Sequence, residues 1–181
     1  MNRQLDPLLH LVATGFVIVV LARAVVEKLS AYGIFVANLR DYRLLPDALA
    51  PIAAPILLTA ELIAIPCLLL PATGAIGAII AASLLAIYAL AMTAALLAGR
   101  HEIECGCGGE GQMVSWALVA RNGVLVAITA SILLPTSNRS MSWQDILVGP
   151  VAIFLFFLLL AIAEKAIWTF AAIRRLDSGL H

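Results

Sequence analysis

The sequence predicts an all-α integral membrane protein, a bundle of four to five transmembrane helices. Three observations predict it. Of 181 residues, 63% are hydrophobic and only 12% charged, where a soluble domain carries about a quarter charged residues. The mean hydropathy is +1.05. Five apolar stretches are long enough to cross a bilayer core, which takes roughly 20 residues of helix. None of them shows the period-2 alternation of a strand, and Ala and Leu dominate over Val, Thr and Tyr, which excludes a transmembrane barrel.

The predicted helices cover 8–30, 48–70, 72–98, 113–134 and 146–170. The first contains a signal-peptide-like core ending in Ala22-Arg23-Ala24, but its apolar pattern runs on through Val25, Val26 and Leu29, which argues against cleavage there. The second and third are separated only by the turn at 71. In the fifth, Pro150 stands near the start and Glu164-Lys165 near the end. The connections 31–47 and 99–112 and the last dozen residues are read as non-membrane segments. Residues 1–181 thus form one transmembrane helical domain, without repeats or low-complexity linkers. A net charge of zero and the absence of a basic run exclude nucleic acid as a partner; the lipid bilayer is the first partner.

With five crossings, the N-terminus and the connections at 71 and 135–145 share one membrane side, called A. Connections 31–47 and 99–112 and the C-terminal tail share the other, called B. Arg23, Glu27 and Lys28 then lie in the side-B half of the first helix, Arg121 and Asn122 about two turns into the fourth, and Glu61 near the middle of the second. Ionisable groups in a bilayer cost at least ~2.5–3.5 kcal/mol each, so they pair or face a cavity. A polar cluster of Arg23, Glu27, Arg121 and Glu61 is expected beneath the 99–112 connection. It reads either as ion pairs that lock the bundle or as the lining of a pocket for a substrate or cofactor head group. Cys67 falls near side A, too far from the other thiols to bridge to them, and reads as a small buried hydrophobe.

The stretch "RHEIECGCGGEGQ" (100–112) concentrates three glutamates, four glycines and two of the three cysteines. In extended chain the Cα atoms of Cys105 and Cys107 would lie ~6.6–7.2 Å apart, at the limit for a disulfide. Gly106, Gly108 and Gly109 supply the permissive backbone that a closing turn needs. A disulfide in so small a ring is strained and exposed, which suits a labile redox pair. Two other readings stay open. His101, Cys105 and Cys107 with Glu102, Glu104 or Glu110 could ligate a metal, although one intervening residue is not the usual zinc spacing; or the thiols are inert.

"CGCGGEGQMVSWALVARNGVLV" resembles the signature of the methylamine utilisation protein MauE family: a Cys-Gly-Cys cluster (Cys105, Cys107), a helix entered through Ser115, and Arg121-Asn122 within it. "ARAVVEKLSAYGIFVANLRDYRLLPDALA", followed by a helix with Glu61, resembles the first half of that family and of related DoxX-like membrane proteins. The resemblance reaches to about residue 170; Gly108-Gly109 departs from it where the family often has Phe. It implies a membrane thiol–disulfide oxidoreductase that works with MauD, a thioredoxin-like protein, in maturing the disulfide-rich small (β) subunit of periplasmic methylamine dehydrogenase. In plan the bundle is similar to vitamin K epoxide reductase and DsbB enzymes, which pass electrons from thiols to a quinone. Carried over, Cys105 and Cys107 exchange disulfides with MauD, and Arg23, Glu27, Glu61, Arg121 and Asn122 are the expected residues around a quinone head group. A strained disulfide favours acting as oxidant; the opposite, DsbD-like flow would feed electrons outward. The rival functions are a redox-silent anchor for MauD or the nascent subunit, and a Cys/His metal-binding membrane protein.

Sidedness is contested within the sequence. Side B carries Arg40, Arg43, Arg100, Arg174 and Arg175, and side A only Arg3 and Arg139. By the positive-inside rule side B is cytoplasmic. The resemblance implies a periplasmic client, so the expectation carried forward is a bacterial inner-membrane protein with its Cys-Gly-Cys segment at the periplasmic face.

Overall fold

Asp6 opens the first helix. Its carboxylate accepts the Leu8 N–H at 2.9 Å, and Pro7, which has no N–H to leave unsatisfied, takes the first helical position. The computed structural model describes residues 4–100, 103 and 113–178. Their helices are α1 (Pro7–Ser30), α2 (Tyr32–Asp41), α3 (Ala50–Leu69), α4 (Gly74–Leu97), α5 (Trp116–Ser131) and α6 (Trp143–Ser178). Among the described residues there is no strand, only an isolated bridge between Leu5 and Thr136. The chain is therefore an all-helical bundle of the membrane type.

Four helices are long and apolar enough to cross a membrane: α1, α3, α4 and the Trp143–Ile167 part of α6. The span expected over 113–134 is shorter, 16 residues as α5. Two causes trim it. At its start Met113–Ser115 are not helical, and the Val114 N–H bonds Ile103 O at 2.9 Å. At its end Ile132, Leu133 and Leu134 turn tightly through bonds to the residue three positions back, ahead of Pro135, which cannot continue a helix. The connection expected over 31–47 is also corrected. Ala31 breaks the helix at φ −129°, ψ 45°, and α2 begins again at Tyr32. Phe35, Asn38 and Tyr42 recur at helical spacing and are buried, which gives this short helix a face to pack. In α6, Pro150 lies inside a continuous 36-residue helix.

α4 ends in a Schellman motif. Gly99, at φ +74°, donates to Leu96 O, and Arg100 N–H donates to Ala95 O, both at 3.0 Å; glycine is the residue that takes this left-handed conformation freely. α5 starts from Ser115, whose hydroxyl accepts the Leu118 N–H. α6 starts from a reciprocal pair: Ser142 N–H donates to the Asp145 carboxylate, and Asp145 N–H to the Ser142 hydroxyl.

The bundle's two ends are tied differently. At side A, Leu5 N–H donates to Pro135 O at 2.8 Å and Ser137 N–H to Leu5 O at 2.9 Å. Arg139 pairs with Asp6 at 3.0 Å and Asp145 at 3.2 Å. The Arg139 guanidinium, and then the Leu8 N–H, hold the Asp6 carboxyl below its ordinary value of 3.8. At side B, Arg100 Nη1 donates to Tyr42 O at 2.6 Å, joining the end of α4 to the end of α2. The described parts of the two connections expected on one face therefore meet there.

α3 and α4 approach closely through small residues, as packed membrane helices do. Ala64 and Leu68 meet Ala78 and Ala81 in the core, together with Val17 and Leu21 of α1. A Cβ on Gly77 would lie 2.6 Å from Leu68 N and 2.9 Å from Cys67 C, both backbone atoms. Gly77→Ala is therefore expected to cost about 1–3 kcal/mol of stability. Gly123 has open space around it, so Gly123→Ala in α5 is expected to stabilise by about 0.5–1 kcal/mol through helix propensity. Thermal unfolding of the two variants in detergent should shift in opposite directions.

Candidate functional site

Apart from the Arg139 group at side A, the paired charged side chains among the described residues form two separate networks. In one, Lys28 of α1 pairs with Glu61 of α3, at 2% and 0% side-chain exposure. Tyr88 of α4 completes it: its hydroxyl donates to Glu61 Oε1 at 2.7 Å and accepts from Lys28 Nζ at 3.1 Å. The Lys28 ammonium also lies over two rings, Tyr88 at 4.5 Å and Phe35 at 5.2 Å, where the ring faces attract a cation. Glu61 Oε2 is buried without a hydrogen-bond partner among the described residues.

In the second network Glu164 of α6 is the centre. Its two oxygens accept from Arg23 Nη1 at 2.7 Å and from Arg121 Nη1 at 2.5 Å. Arg23 also donates to Glu27, one turn along α1, at 2.8 Å, and its guanidinium lies 6.0 Å from the Phe157 ring centre. This network joins three helices, α1, α5 and α6. Asn122 is buried beside it in sequence, with its Nδ2 unpartnered.

The structure thus brings Arg23, Glu27 and Arg121 together and divides Glu61 from them. Sequence reasoning omitted three members. Lys28 was placed at the right level but without a partner. Tyr88 carried no signal apart from being a polar group in an apolar helix. Glu164 stands at a predicted helix end, yet an acid in an apolar helix, with two arginines in need of a counter-ion, is the signal that points to it.

The two networks border very different spaces. Beside Arg23, Arg121 and Glu164 the free volume is about 20 Å³, about one water. While these ion pairs stand, no head group fits among them. Between α2, α3 and α4 lies a cavity of about 550 Å³, within the range of small-molecule sites. Its wall is apolar apart from Asn38, Tyr42 and Tyr88. Lys28 and Glu61 therefore sit behind that wall, reached through Tyr88.

Cys105, Cys107, Gly106, Gly108 and Gly109 lie outside the described residues, as do His101, Glu102, Glu104 and Glu110. Their position in the chain is framed by what is described: Gly99 stops α4, Ile103 and Val114 are hydrogen-bonded, and Ser115 caps α5. Among the described residues no group of three or more His, Cys, Asp or Glu could hold a metal ion. Cys67 is a half-buried free thiol near the side-A end of α3, where the Thr73 hydroxyl bonds its carbonyl at 3.0 Å.

Comparison with known proteins gives a consistent result. A family model described as methylamine utilisation protein MauE matches residues 6–135. The chain is 39% identical over 158 residues to a methylamine utilization protein MauE of Paracoccus versutus, covering 85% of this chain and 84% of that one. It is 33% identical over 159 residues to the protein of that name from Methylorubrum extorquens, covering 86% and 85%. With that of Paracoccus denitrificans it shares 34% over 119 residues, 65% and 64% of the two chains. No solved structure matches the chain.

Proposed function

The chain belongs to the MauE family of methylamine utilisation proteins, and from that premise we propose that it is a membrane thiol–disulfide oxidoreductase serving MauD. In this reading Cys105 and Cys107 are the redox pair, held at the periplasmic face of the bacterial inner membrane. The client behind MauD is the small subunit of methylamine dehydrogenase. The observation that carries the reading is the Cys105-Gly106-Cys107 sequence itself, set in a glycine-rich segment between α4 and α5.

Support comes from how the segment is anchored. A Schellman stop, the Arg100–Tyr42 bond, the Ile103–Val114 bond and the Ser115 cap fix the chain on both flanks. Exchange proceeds by attack of a thiolate on a disulfide sulfur through a mixed disulfide. A thiolate of MauD attacks one sulfur of the Cys105–Cys107 disulfide and forms a mixed disulfide. The second MauD thiolate then resolves it, leaving MauD oxidised and Cys105 and Cys107 as the dithiol. The two electrons and two protons that arrive with each cycle must leave again through a second acceptor.

The test is made in a Cys67→Ala background, so that the loop thiols alone react. In intact spheroplasts an impermeant maleimide is expected to label Cys105 and Cys107 only after mild impermeant reduction. Single Cys105→Ser and Cys107→Ser variants are expected to abolish subunit maturation, with one of them trapping a mixed disulfide with MauD. Full maturation with both variants would replace the oxidoreductase by a redox-silent anchor. Labelling only after lysis would put the segment in the cytoplasm and end the proposal.

A further inference from the structure

We propose that the cavity between α2, α3 and α4 is the seat of a membrane quinone, with Asn38 hydrogen-bonding a ring carbonyl. This rests on the oxidoreductase reading, because that reading requires a two-electron, two-proton acceptor. The site itself is argued from the cavity.

Its volume, about 550 Å³, takes a substituted six-membered ring with part of an isoprenoid tail. Ile56, Ile87 and Leu90 line it and are themselves exposed on the outside of α3 and α4. The cavity therefore opens sideways through two helices of the membrane-spanning type, where a lipid-dissolved ligand arrives. Phe35 of α2, Tyr42 at its C-cap and Tyr88 of α4 give it aromatic walls, which suit a planar ring.

The polar features select a neutral head group. Lys28 is matched by Glu61 and screened by Tyr88, so its charge is not offered to the cavity. Asn38 is different. It is only 8% exposed and lines the cavity, and its side chain makes no hydrogen bond among the described residues. Its amide atoms are not among the fully buried unpartnered ones, so they face the cavity, where one carbonyl acceptor would take a hydrogen bond.

Tyr42 lines the cavity, and its carbonyl is the acceptor for Arg100, where the chain sets out towards Cys105. Oxidation of the Cys105–Cys107 dithiol breaks two S–H bonds and forms one S–S bond. The two electrons and two protons released convert one quinone to one quinol.

The site is tested in full-length protein carrying Cys105→Ser and Cys107→Ser, so that binding is read without thiol chemistry. The purified protein is dialysed against decylubiquinone in detergent and the bound quinone is extracted and measured. About one molecule per chain is expected. Ala91→Phe, which fills the cavity, is expected to weaken binding at least tenfold. Asn38→Leu, close in size and the gentler change, is expected to weaken it about tenfold, the upper range for one lost hydrogen bond. Absence of binding to the parent protein, equal binding by Asn38→Leu, or a co-purified phospholipid that decylubiquinone does not displace would each overturn the site. Quinone binding in this assay with no oxidation of the wild-type thiols would leave the site standing and sink the oxidoreductase. Loss of binding in Asn38→Leu and Ala91→Phe with maturation fully intact would show that quinone bound there does not serve the thiols, and would overturn the role given to the site while leaving the oxidoreductase standing.

Discussion

Lys28→Met is expected to destabilise the bundle by about 3–5 kcal/mol, because breaking a buried ion pair leaves the other charge uncompensated. Glu61, with no exposed surface, would keep only the Tyr88 hydroxyl as a partner. Glu61→Leu is expected to cost as much from the other side, stranding the ammonium between two aromatic rings. The double variant Lys28→Met/Glu61→Leu should recover most of the loss, since a well-packed apolar pair replaces a buried ionic one at little net cost. The measurement is the thermal unfolding midpoint of all four proteins in one detergent. If the double variant is as unstable as the sum of the singles, the pair is not the unit that matters there.

The second large effect is expected at Glu164. Among the described residues it is the one carboxylate paired with Arg121, and it also binds Arg23, so one side chain ties α6 to both α1 and α5. Most of the apolar surface of α6 faces outward, including Phe154, Phe156 and Leu159, so few other contacts hold its side-B half. Glu164→Gln is expected to cost about 3 kcal/mol. It should also make the region after Phe157 accessible to protease, while the Arg139 anchor at side A holds. Arg23 retains Glu27, so the coupling to Arg121 should be the larger. A double-mutant cycle with Arg121→Gln is expected to give more than about 1 kcal/mol. Coupling near zero would mean that the two groups are merely neighbours.

Both predictions concern residues that the sequence displayed and did not pair. An Arg, Lys or Glu in an apolar run announces that a partner exists, and by depth alone Arg23, Glu27, Arg121 and Glu61 could all have shared one cluster. They do not, because depth gives the level of a side chain and not its direction around the helix axis. Each residue turns a helix by about 100°. The step from Arg23 and Glu27 to Lys28 is enough to turn α1 from facing α5 and α6 to facing α3 and α4. α2 was missed for a different reason. Its ten residues include Asn38, Arg40 and Asp41, and that polar content hid the spacing of Phe35, Asn38 and Tyr42, which become one buried face only once α3 is beside them.

From the sequence alone came the helical membrane class, the placement of four long spans within a few residues, the likeness to the MauE family and the two cysteines that carry the proposed chemistry. Those follow from local quantities: the run of apolar residues that lipid demands, the caps and prolines that stop helices, and a short motif. Only the tertiary structure decided which charge meets which, that Glu164 closes one network and Tyr88 the other, and that the open space lies under α2 and not beside the arginines. The physical reason is that pairing and cavities belong to the surfaces between helices. Those surfaces are set by rotation and packing of whole elements, through contacts such as Gly77 against the backbone of Cys67 and Leu68, which no single stretch of chain contains.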